Sequence, residues 1–314
     1  MNSTLIIIER QLQLMALDYS NRSNTEVLVV TLIWTILSVI ACVGNLLTLL
    51  IIYKNRSLWN STNIILASLA LSDFAFNTLN NLPVGVAVFA SPRFPFSHLV
   101  CQYQASVCIT LSTASIQILA LASLNRYYRI IKPTKYNNVF SKQKTFAALL
   151  MAWCLSLAAP FLLIADGSDY VFHPAKAFCF YRLDVWLFPV VGTWIMIGIP
   201  SAVISFCYAK ILIKVRHHNA QLSQSSASAT EIKITKNLLV VIIAFVLCWT
   251  PIIAVETIDY WLQRYAMPRI VYTIYPFLSN LSSAINPPIY VALNPTFREK
   301  YKQLFRKYTG VRPA

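Results

Sequence analysis

The feature that most constrains this sequence is a set of long apolar runs that carry no charge. A helix needs about 20 residues to cross the roughly 30 Å hydrocarbon core of a bilayer. Five runs are clearly long enough, and two more have the right length, one of them interrupted by a single acid, Asp73. The seven predicted spans cover residues 27–53, 63–90, 100–124, 145–165, 185–209, 237–255 and 270–293.

The composition agrees with a chain that lies mostly in lipid. Charged residues make up 12% of the sequence, whereas soluble domains carry about 25%. Most of the 26 basic residues fall between spans on one side, which the positive-inside rule assigns to the cytosol. We therefore predict a multi-pass protein of the plasma membrane with an extracellular N-terminus. The net charge of +15 then faces cytosolic lipid headgroups, and no nucleic-acid partner is expected.

These patterns define one fold class and three regions. We predict an all-α membrane protein, a seven-transmembrane helix bundle with a short amphipathic helix eight. Residues 1–26 form an extracellular segment without a cleavable signal peptide, 27–293 the bundle, and 294–314 helix eight with a short cytosolic tail. In the last region apolar side chains recur at helical spacing opposite basic ones, a pattern typical of a helix in the membrane interface. The apolar positions are Phe297, Tyr301, Leu304, Phe305 and Tyr308.

Cysteines and glycosylation motifs acquire their meaning from this topology. Five of the seven cysteines lie inside spans, and the remaining two, Cys101 and Cys179, lie on the oxidising outer side. We predict a disulfide between them. The motifs at Asn2 and Asn21 are also outside and predict N-glycosylation.

Asp73 lies in the middle of the second span. An ionised carboxylate at that depth costs at least about 2.5 kcal/mol, so it must face polar partners inside the bundle. A carboxylate surrounded by hydroxyls and amides indicates either a site for a small cation, Na⁺, or a protonatable switch. The candidate partners are Asn45, Ser115, Ser282, Ser283 and Asn286.

Like Asp73, the triplet Asn125-Arg126-Tyr127 is a polar exception in the apolar spans, and it lies at the cytosolic end of the third span. The Arg126 guanidinium can pair with an acid on a neighbouring helix, and Glu231 at the start of the sixth span is the candidate. Such a pair would tie the third span to the sixth at the cytosolic face.

Taken together, these motifs resemble the rhodopsin-like family of G-protein-coupled receptors from about residue 27 to 308. The matching residues are Gly44, Asn45, Leu69 to Asp73, Cys101, Asn125 to Tyr127, Trp153, Pro200, Tyr208, Phe245 to Pro251, Asn286 to Tyr290 with Pro287, and Phe297. The resemblance implies that Trp249 lies under a ligand and moves with it. It also implies a packing switch of Ile116, Pro200 and Phe245, with a proline bend at Pro251. Tyr208 and Tyr290 would swing toward Arg126 on activation.

The resemblance also implies a ligand pocket and a set of partners. The pocket residues are Cys108, Ile109, Ser112, Thr193, Met196, Trp249, Ile252, Glu256, Tyr272 and Pro276. The partners are an extracellular ligand, a heterotrimeric G protein for which Gi/o is the expectation, and arrestin with a receptor kinase. The hydroxyls available for phosphorylation in the third cytosolic loop are Ser223, Ser225, Ser226, Ser228 and Thr230.

Single residues narrow the ligand class. Aminergic receptors place an Asp where this chain has Cys108, so a protonated amine is not expected. Opsins place a retinal-binding Lys where Asn280 stands, so no retinal is expected. The triplet, residues 135–141 and Phe206-Cys207-Tyr208 look most like melatonin receptors, although Met196 and Pro287 depart from that pattern. A peptide or another small lipophilic molecule remains an open alternative for the agonist. Acids on the outer side, such as Glu256, either attract a cationic ligand or serve only to solvate the loops.

Two other classes of protein are less well supported. The four histidines lie in loops or at span ends, and no Gly-x-Ser-x-Gly or His-Glu-x-x-His motif occurs, so an enzyme is not indicated. A seven-helix transporter or channel is the alternative, but it would require more charges in the lining and repeated halves.

Asn125 generates a first prediction, because the family's usual residue before the arginine is an acid that holds the arginine at rest. We expect Asn125→Asp to lower ligand-free signalling in cells, measured as basal second-messenger output at matched surface expression. An unchanged or raised basal output would contradict this role for Asn125.

Overall fold

The computed structural model describes residues 3–163, 169–181, 192, 194–219, 226–293 and 295–309. The helices are α1 (Ser3–Ser20), α2 (Asn24–Lys54), α3 (Ser61–Phe76), α4 (Val86–Ala90), α5 (His98–Ile131), α6 (Pro133–Val139), α7 (Lys142–Leu163), α8 (Ile199–Asn219), α9 (Ser226–Leu262), α10 (Arg269–Ala284), α11 (Asn286–Leu293) and α12 (Pro295–Thr309). A 3-10 turn covers Arg56–Leu58, and two π-helical segments cover Asn77–Gly85 and Trp194–Gly198. Strands β1 (Val171–His173) and β2 (Phe178–Phe180) form an antiparallel hairpin.

The helices form the predicted seven-helix bundle. Within the described ranges, six helices are long and apolar enough to cross a membrane. The seventh span consists of α10 and α11, which are interrupted at Ile285 and are each too short alone. The third and sixth spans continue past their predicted ends, because polar sequence beyond the lipid extends the same helices. Much of the predicted start of the fifth span lies outside the described residues.

The apolar side chains point both inward and outward, as expected for a helix bundle that is surrounded by lipid. Inside, Ile65, Leu69 and Ile118 are among the residues of the main buried cluster. Outside, Leu150 and Phe161 on α7 are more than half exposed. The Trp153 indole on the inner face of the same helix donates to Ser68 Oγ at 3.0 Å, which ties the fourth span to the second.

The second span contains a π-helical segment around Pro83. Proline cannot donate to the carbonyl of Leu79 one turn earlier, and in lipid that carbonyl needs another donor. The Tyr103 hydroxyl of the third span supplies it at 2.9 Å. The π-helical segment is therefore tied to a neighbouring helix by a side-chain hydrogen bond.

An N-terminal helix, α1, packs on the outer face of the bundle. Ile8 is 1% exposed and lies in a cluster with Ala175 and Tyr265. The carboxylate of Asp18 pairs with Arg269 at 3.0 Å, and Glu26 at the start of α2 also pairs with Arg269. The sequence indicated only an outer segment here, because the short apolar run within residues 5–8 has no clear periodicity.

The amphipathic helix eight is α12, and its apolar face packs against the first span. Phe297 and Tyr301 are buried. The Tyr301 hydroxyl lies 2.7 Å from Thr48 Oγ1 and donates to the carbonyl oxygen of Gly44 at 3.0 Å. The side chains of Phe305 and Tyr308 lie outside the described residues.

Gly44 lies where the first span packs tightly against the seventh. A Cβ atom at this position would lie 2.7 Å from Cγ and 2.8 Å from Cβ of Pro287. The proline ring is rigid and has no rotamer that would relieve this contact. Gly44 therefore permits helix packing that any larger residue would prevent.

We expect Gly44→Ala to lower the apparent melting temperature of the purified protein, because overpacking costs about 1–3 kcal/mol. Gly198→Ala is the matched control, since its Cβ would meet only the exposed Trp194 side chain, at 3.0 Å. Equal melting temperatures for the two variants would contradict the importance of the Gly44 contact.

Candidate functional site

The outer end of the bundle is covered by the hairpin of β1 and β2. Cys179 on β2 is joined to Cys101 at the start of α5, with a Cα–Cα distance of 5.4 Å, which confirms the predicted disulfide. The Gln104 side-chain carbonyl accepts from the backbone N–H of Cys179 at 3.1 Å, and that of Gln102 accepts from Tyr170 at 3.1 Å. The third span thus holds the hairpin by one covalent bond and two side-chain amides.

A cavity of about 620 Å³ lies directly beneath this hairpin. Its walls come from α5, α7, α8, α9 and α10, and the hairpin forms the roof. Seven of the predicted pocket residues line it, and these are Cys108, Ile109, Ser112, Met196, Trp249, Ile252 and Glu256. The surface is mainly apolar and aromatic with a few polar groups, as in small-molecule sites.

Three predicted pocket residues are not found in the lining. Thr193 lies outside the described residues, and Pro276 is buried elsewhere in α10. The Tyr272 hydroxyl donates to the carboxylate of Asp259, which turns this ring toward the outer end of the sixth span. Tyr275, three residues further along the same helix, faces the cavity instead. Simple helical spacing could not choose between these two tyrosines.

The cavity contains one ion pair that the sequence did not indicate. Lys176, in the hairpin turn, is 1% exposed, and its Nζ donates to Oε1 of Glu256. The Tyr181 hydroxyl donates to Oε2 of the same carboxylate at 3.2 Å. From sequence, Lys176 was only one of several basic residues on the outer side. Its neighbour His173 has a pKa well below its ordinary value, because burial and the Lys176 charge both disfavour the imidazolium.

Two other acids of this end, Asp259 and Asp169, lie away from the cavity lining. Asp259 accepts from the backbone N–H of Ala266 at 2.8 Å as well as from Tyr272, so it fixes the turn after α9. Asp169 lies 3.3 Å from Nε2 of His98, and both side chains are more than 60% exposed. Among the described acids of the outer face, Glu256 is the one that reaches the lining.

Trp249 forms the floor of the cavity and connects it to the interior. Its indole N–H donates to Ser282 Oγ on α10 at 3.3 Å. Below it, the Phe245 ring stacks on the indole with a centroid distance of 5.5 Å. Phe245 and Ile116 are members of the same buried cluster, and Pro200 is also buried.

The carboxylate of Asp73 on the second span is buried inside the bundle. It accepts from the hydroxyls of Ser115 at 3.2 Å and Ser283 at 2.9 Å, and from Asn286 Nδ2 at 2.8 Å. Three of the five predicted partners therefore contact it directly. Asn45 reaches it indirectly, by donating to the backbone carbonyl of Ser283 at 3.2 Å.

Ser282 does not contact Asp73, in contrast to the sequence-based expectation. Adjacent residues on a helix point about 100° apart, because 3.6 residues make one turn. Ser283 therefore faces Asp73 while Ser282 faces Trp249. The two serines couple the floor of the cavity to the buried carboxylate through a single peptide unit.

At the cytosolic end, Asn125 and Arg126 are both buried. The Thr62 hydroxyl donates to Asn125 Oδ1 at 2.9 Å, and Asn125 Nδ2 donates to the Tyr136 hydroxyl at 3.2 Å. The triplet is thus fixed to the second span and to α6. The Tyr127 ring lies beside Phe206 on the fifth span, with centroids 5.9 Å apart. The side chain of Glu231, the predicted partner of Arg126, lies outside the described residues.

Comparison with known proteins agrees with this architecture. Residues 44–290 match the family described as 7 transmembrane receptor (rhodopsin family). The chain therefore belongs to the rhodopsin family of G-protein-coupled receptors, as its motifs predict, and these proteins are not enzymes.

Individual relatives differ in the ligands that their names state. The chain is 28% identical to the histamine H2 receptor of Canis lupus familiaris, over 88% of this chain and 79% of that protein. It is 25% identical to the melatonin receptor type 1C of Xenopus laevis, over 92% of this chain and 70% of that protein. It is 25% identical to the octopamine receptor beta-1R of Drosophila melanogaster, over 85% of this chain and 59% of that protein. The structure of squid rhodopsin superposes with a TM-score of 0.80 at 20% identity, covering 91% of this chain and 82% of that one, which supports the fold.

Proposed function

We propose that this receptor lies in the plasma membrane with its N-terminus outside, and that it binds a small, largely apolar ligand in the cavity beneath the hairpin. The observation that carries this proposal is the hydrogen bond from Trp249 on the cavity floor to Ser282. Because Ser283 next to it contacts Asp73, a ligand that moves the indole acts on the polar centre of the bundle.

The connection continues along the seventh span. Asn286 donates to Asp73 at the start of α11, one residue after the interruption at Ile285. A helix that is broken at this point can rotate its two halves separately. A displacement of Ser282 is therefore transmitted to Asn286, and from there toward Tyr290 on the same short helix.

Two tyrosines near the cytosolic end are suited to the last step of this transmission, which reaches the cytosolic face. The hydroxyls of Tyr208 and Tyr290 are buried and have no hydrogen-bond partner among the described residues. A buried hydroxyl without a partner costs free energy, and this cost favours a rearrangement that gives it one. The swing of both rings toward Arg126 that the family pattern implies would do so, and it would open the cytosolic face to a G protein. Gi/o remains the expected class, with arrestin and a receptor kinase as further partners.

The Asp73 site has the chemistry of a Na⁺ site. Hard monovalent cations prefer oxygen ligands, and the carboxylate is surrounded by the hydroxyls of Ser115 and Ser283. The side-chain oxygen of Asn45 is buried and accepts no hydrogen bond from the described residues. We propose that these oxygens hold an allosteric Na⁺. A retinal Schiff base is not part of this proposal, because Asn280 donates to Ser38 at 2.8 Å where a lysine would be needed.

Bound Na⁺ should stabilise the receptor. At a concentration ten times its Kd, a ligand that binds only the folded state contributes about 1.4 kcal/mol. We expect a higher apparent melting temperature in NaCl than in choline chloride of equal concentration. Asp73→Asn keeps the size of the side chain but removes its charge, and should abolish the difference. A difference of the same size in the variant would refute the site.

The receptor function itself is tested by a ligand screen in cells that report several G-protein classes. An active compound should raise one reporter in the wild type and none with Arg126→Ala. Arg129→Ala is the matched control, because Arg129 is exposed on the same helix one turn away, and its response should persist. A response that survives Arg126→Ala at equal surface expression would contradict the proposed coupling route.

A further inference from the structure

We infer that Lys176 is a cation built into the ligand site, and that by occupying Glu256 it makes the cavity select uncharged ligands over protonated amines. This inference rests on the proposed function, since it takes the cavity beneath the hairpin as the ligand site. It concerns a specificity-determining residue of the hairpin that no motif indicates.

The ion pair is largely buried, and only its carboxylate reaches the cavity. The Lys176 side chain is 2% exposed and that of Glu256 is 13% exposed. The ammonium also lies 4.7 Å from the ring centroid of Phe180 and 5.0 Å from that of Tyr275, which places it within cation–π distance of both. Phe180, Tyr275 and Glu256 line the cavity, whereas Lys176 lies behind them. A ligand therefore meets the carboxylate from below, with the ammonium already bound above.

The backbone of the hairpin turn holds the lysine in this position. Ala177, the next residue, has a φ of 55°, which is unfavourable for a residue with a Cβ atom. Its N–H donates to the carbonyl of His173 at 2.9 Å, and the Lys176 N–H donates to His173 Nδ1 at 3.2 Å. The turn is thus closed tightly, and its other end is anchored by the disulfide at Cys179.

A free amine competes poorly with a tethered one. A tethered group binds as if it were present at a concentration on the order of millimolar or above, and Lys176 loses little further freedom because it is already ordered. Both oxygens of Glu256 accept hydrogen bonds, one from Lys176 and one from Tyr181. An incoming ammonium would also be repelled by the Lys176 ammonium, which lies against the same carboxylate. An incoming carboxylate is also disfavoured, because Glu256 stands between the cavity and the ammonium.

The ion pair reconciles an acid in the cavity with a preference for uncharged ligands, two features that otherwise conflict. Relatives of this chain include receptors named for the amines histamine and octopamine and one named for melatonin. The cavity does contain an acid, but the hairpin neutralises it. The inferred ligand is therefore an uncharged, mainly aromatic molecule with hydrogen-bonding groups.

The test uses probe pairs in which N-acetylation removes the positive charge of the amine: tryptamine with N-acetyltryptamine, and phenethylamine with N-acetylphenethylamine. Apparent affinities are measured from the rise in melting temperature of the purified receptor with probe concentration. In the wild type, the acetylated member of a pair should bind at least tenfold more tightly. Lys176→Met should shift the ratio toward the amine by tenfold or more, and Lys176→Met with Glu256→Gln should restore the wild-type ratio. Lys210→Met, at an exposed lysine in the middle of α8, is the matched control and should change nothing.

If neither pair shows the shift with Lys176→Met, the inference is wrong. Should that variant fail to fold, Glu256→Gln decides, because it leaves the ammonium without its carboxylate. Indole-3-acetate should then gain at least tenfold over indole-3-acetamide, and no gain would overturn the inference. The readout requires no G protein. Amine binding that appears only in Lys176→Met, in a chain that never signals, would support the inference and refute the proposed function.

Discussion

The buried carboxylate of Asp73 is the constraint on which the rest of the bundle depends. In lipid, a charged or polar group must find its partners within the protein, and here they come from three different helices. Ser115 on the third span, and Ser283 and Asn286 on the two halves of the seventh, all point at one side chain. The register of these helices is therefore set by a single polar centre, which apolar packing in a lipid solvent could not specify alone.

The same constraint explains which features of the structure could be predicted from the sequence. Charged and helix-breaking residues cost free energy in lipid, so they are rare in membrane spans. Asp73, Arg126 and the prolines could therefore be identified from the sequence. The fold class followed from the apolar runs, the disulfide from the two cysteines on the outer side, and seven of the ten predicted pocket residues from the family resemblance. Ser282 and Ser283 could not be separated, because both are polar and adjacent, and only the helix orientation distinguishes them.

Other features could not be predicted because they belong to segments outside the predicted spans, where the rule for lipid does not apply. A lysine in a loop between spans is not unusual in a sequence, so nothing marked Lys176 as buried. The N-terminal helix carries too little apolar periodicity to be recognised, yet Ile8 is buried against the hairpin and the turn after α9. Tertiary contacts, and not local propensity, determine the structure of both segments.

Side-chain contacts fix the sixth span near its outer end, where Glu256 is bound to the hairpin and Asp259 to the seventh span. Pro251, which lacks the N–H for one backbone hydrogen bond, lies within the helix just below. At 1.5 Å per residue, about 7 Å of helix lies between Pro251 and Glu256, and about 37 Å between Pro251 and the first residue of α9. The helix is therefore a lever with arms in a ratio of about five. A side-chain displacement of less than 1 Å at the cavity, turned into a tilt at the proline, becomes several ångströms at the cytosolic surface.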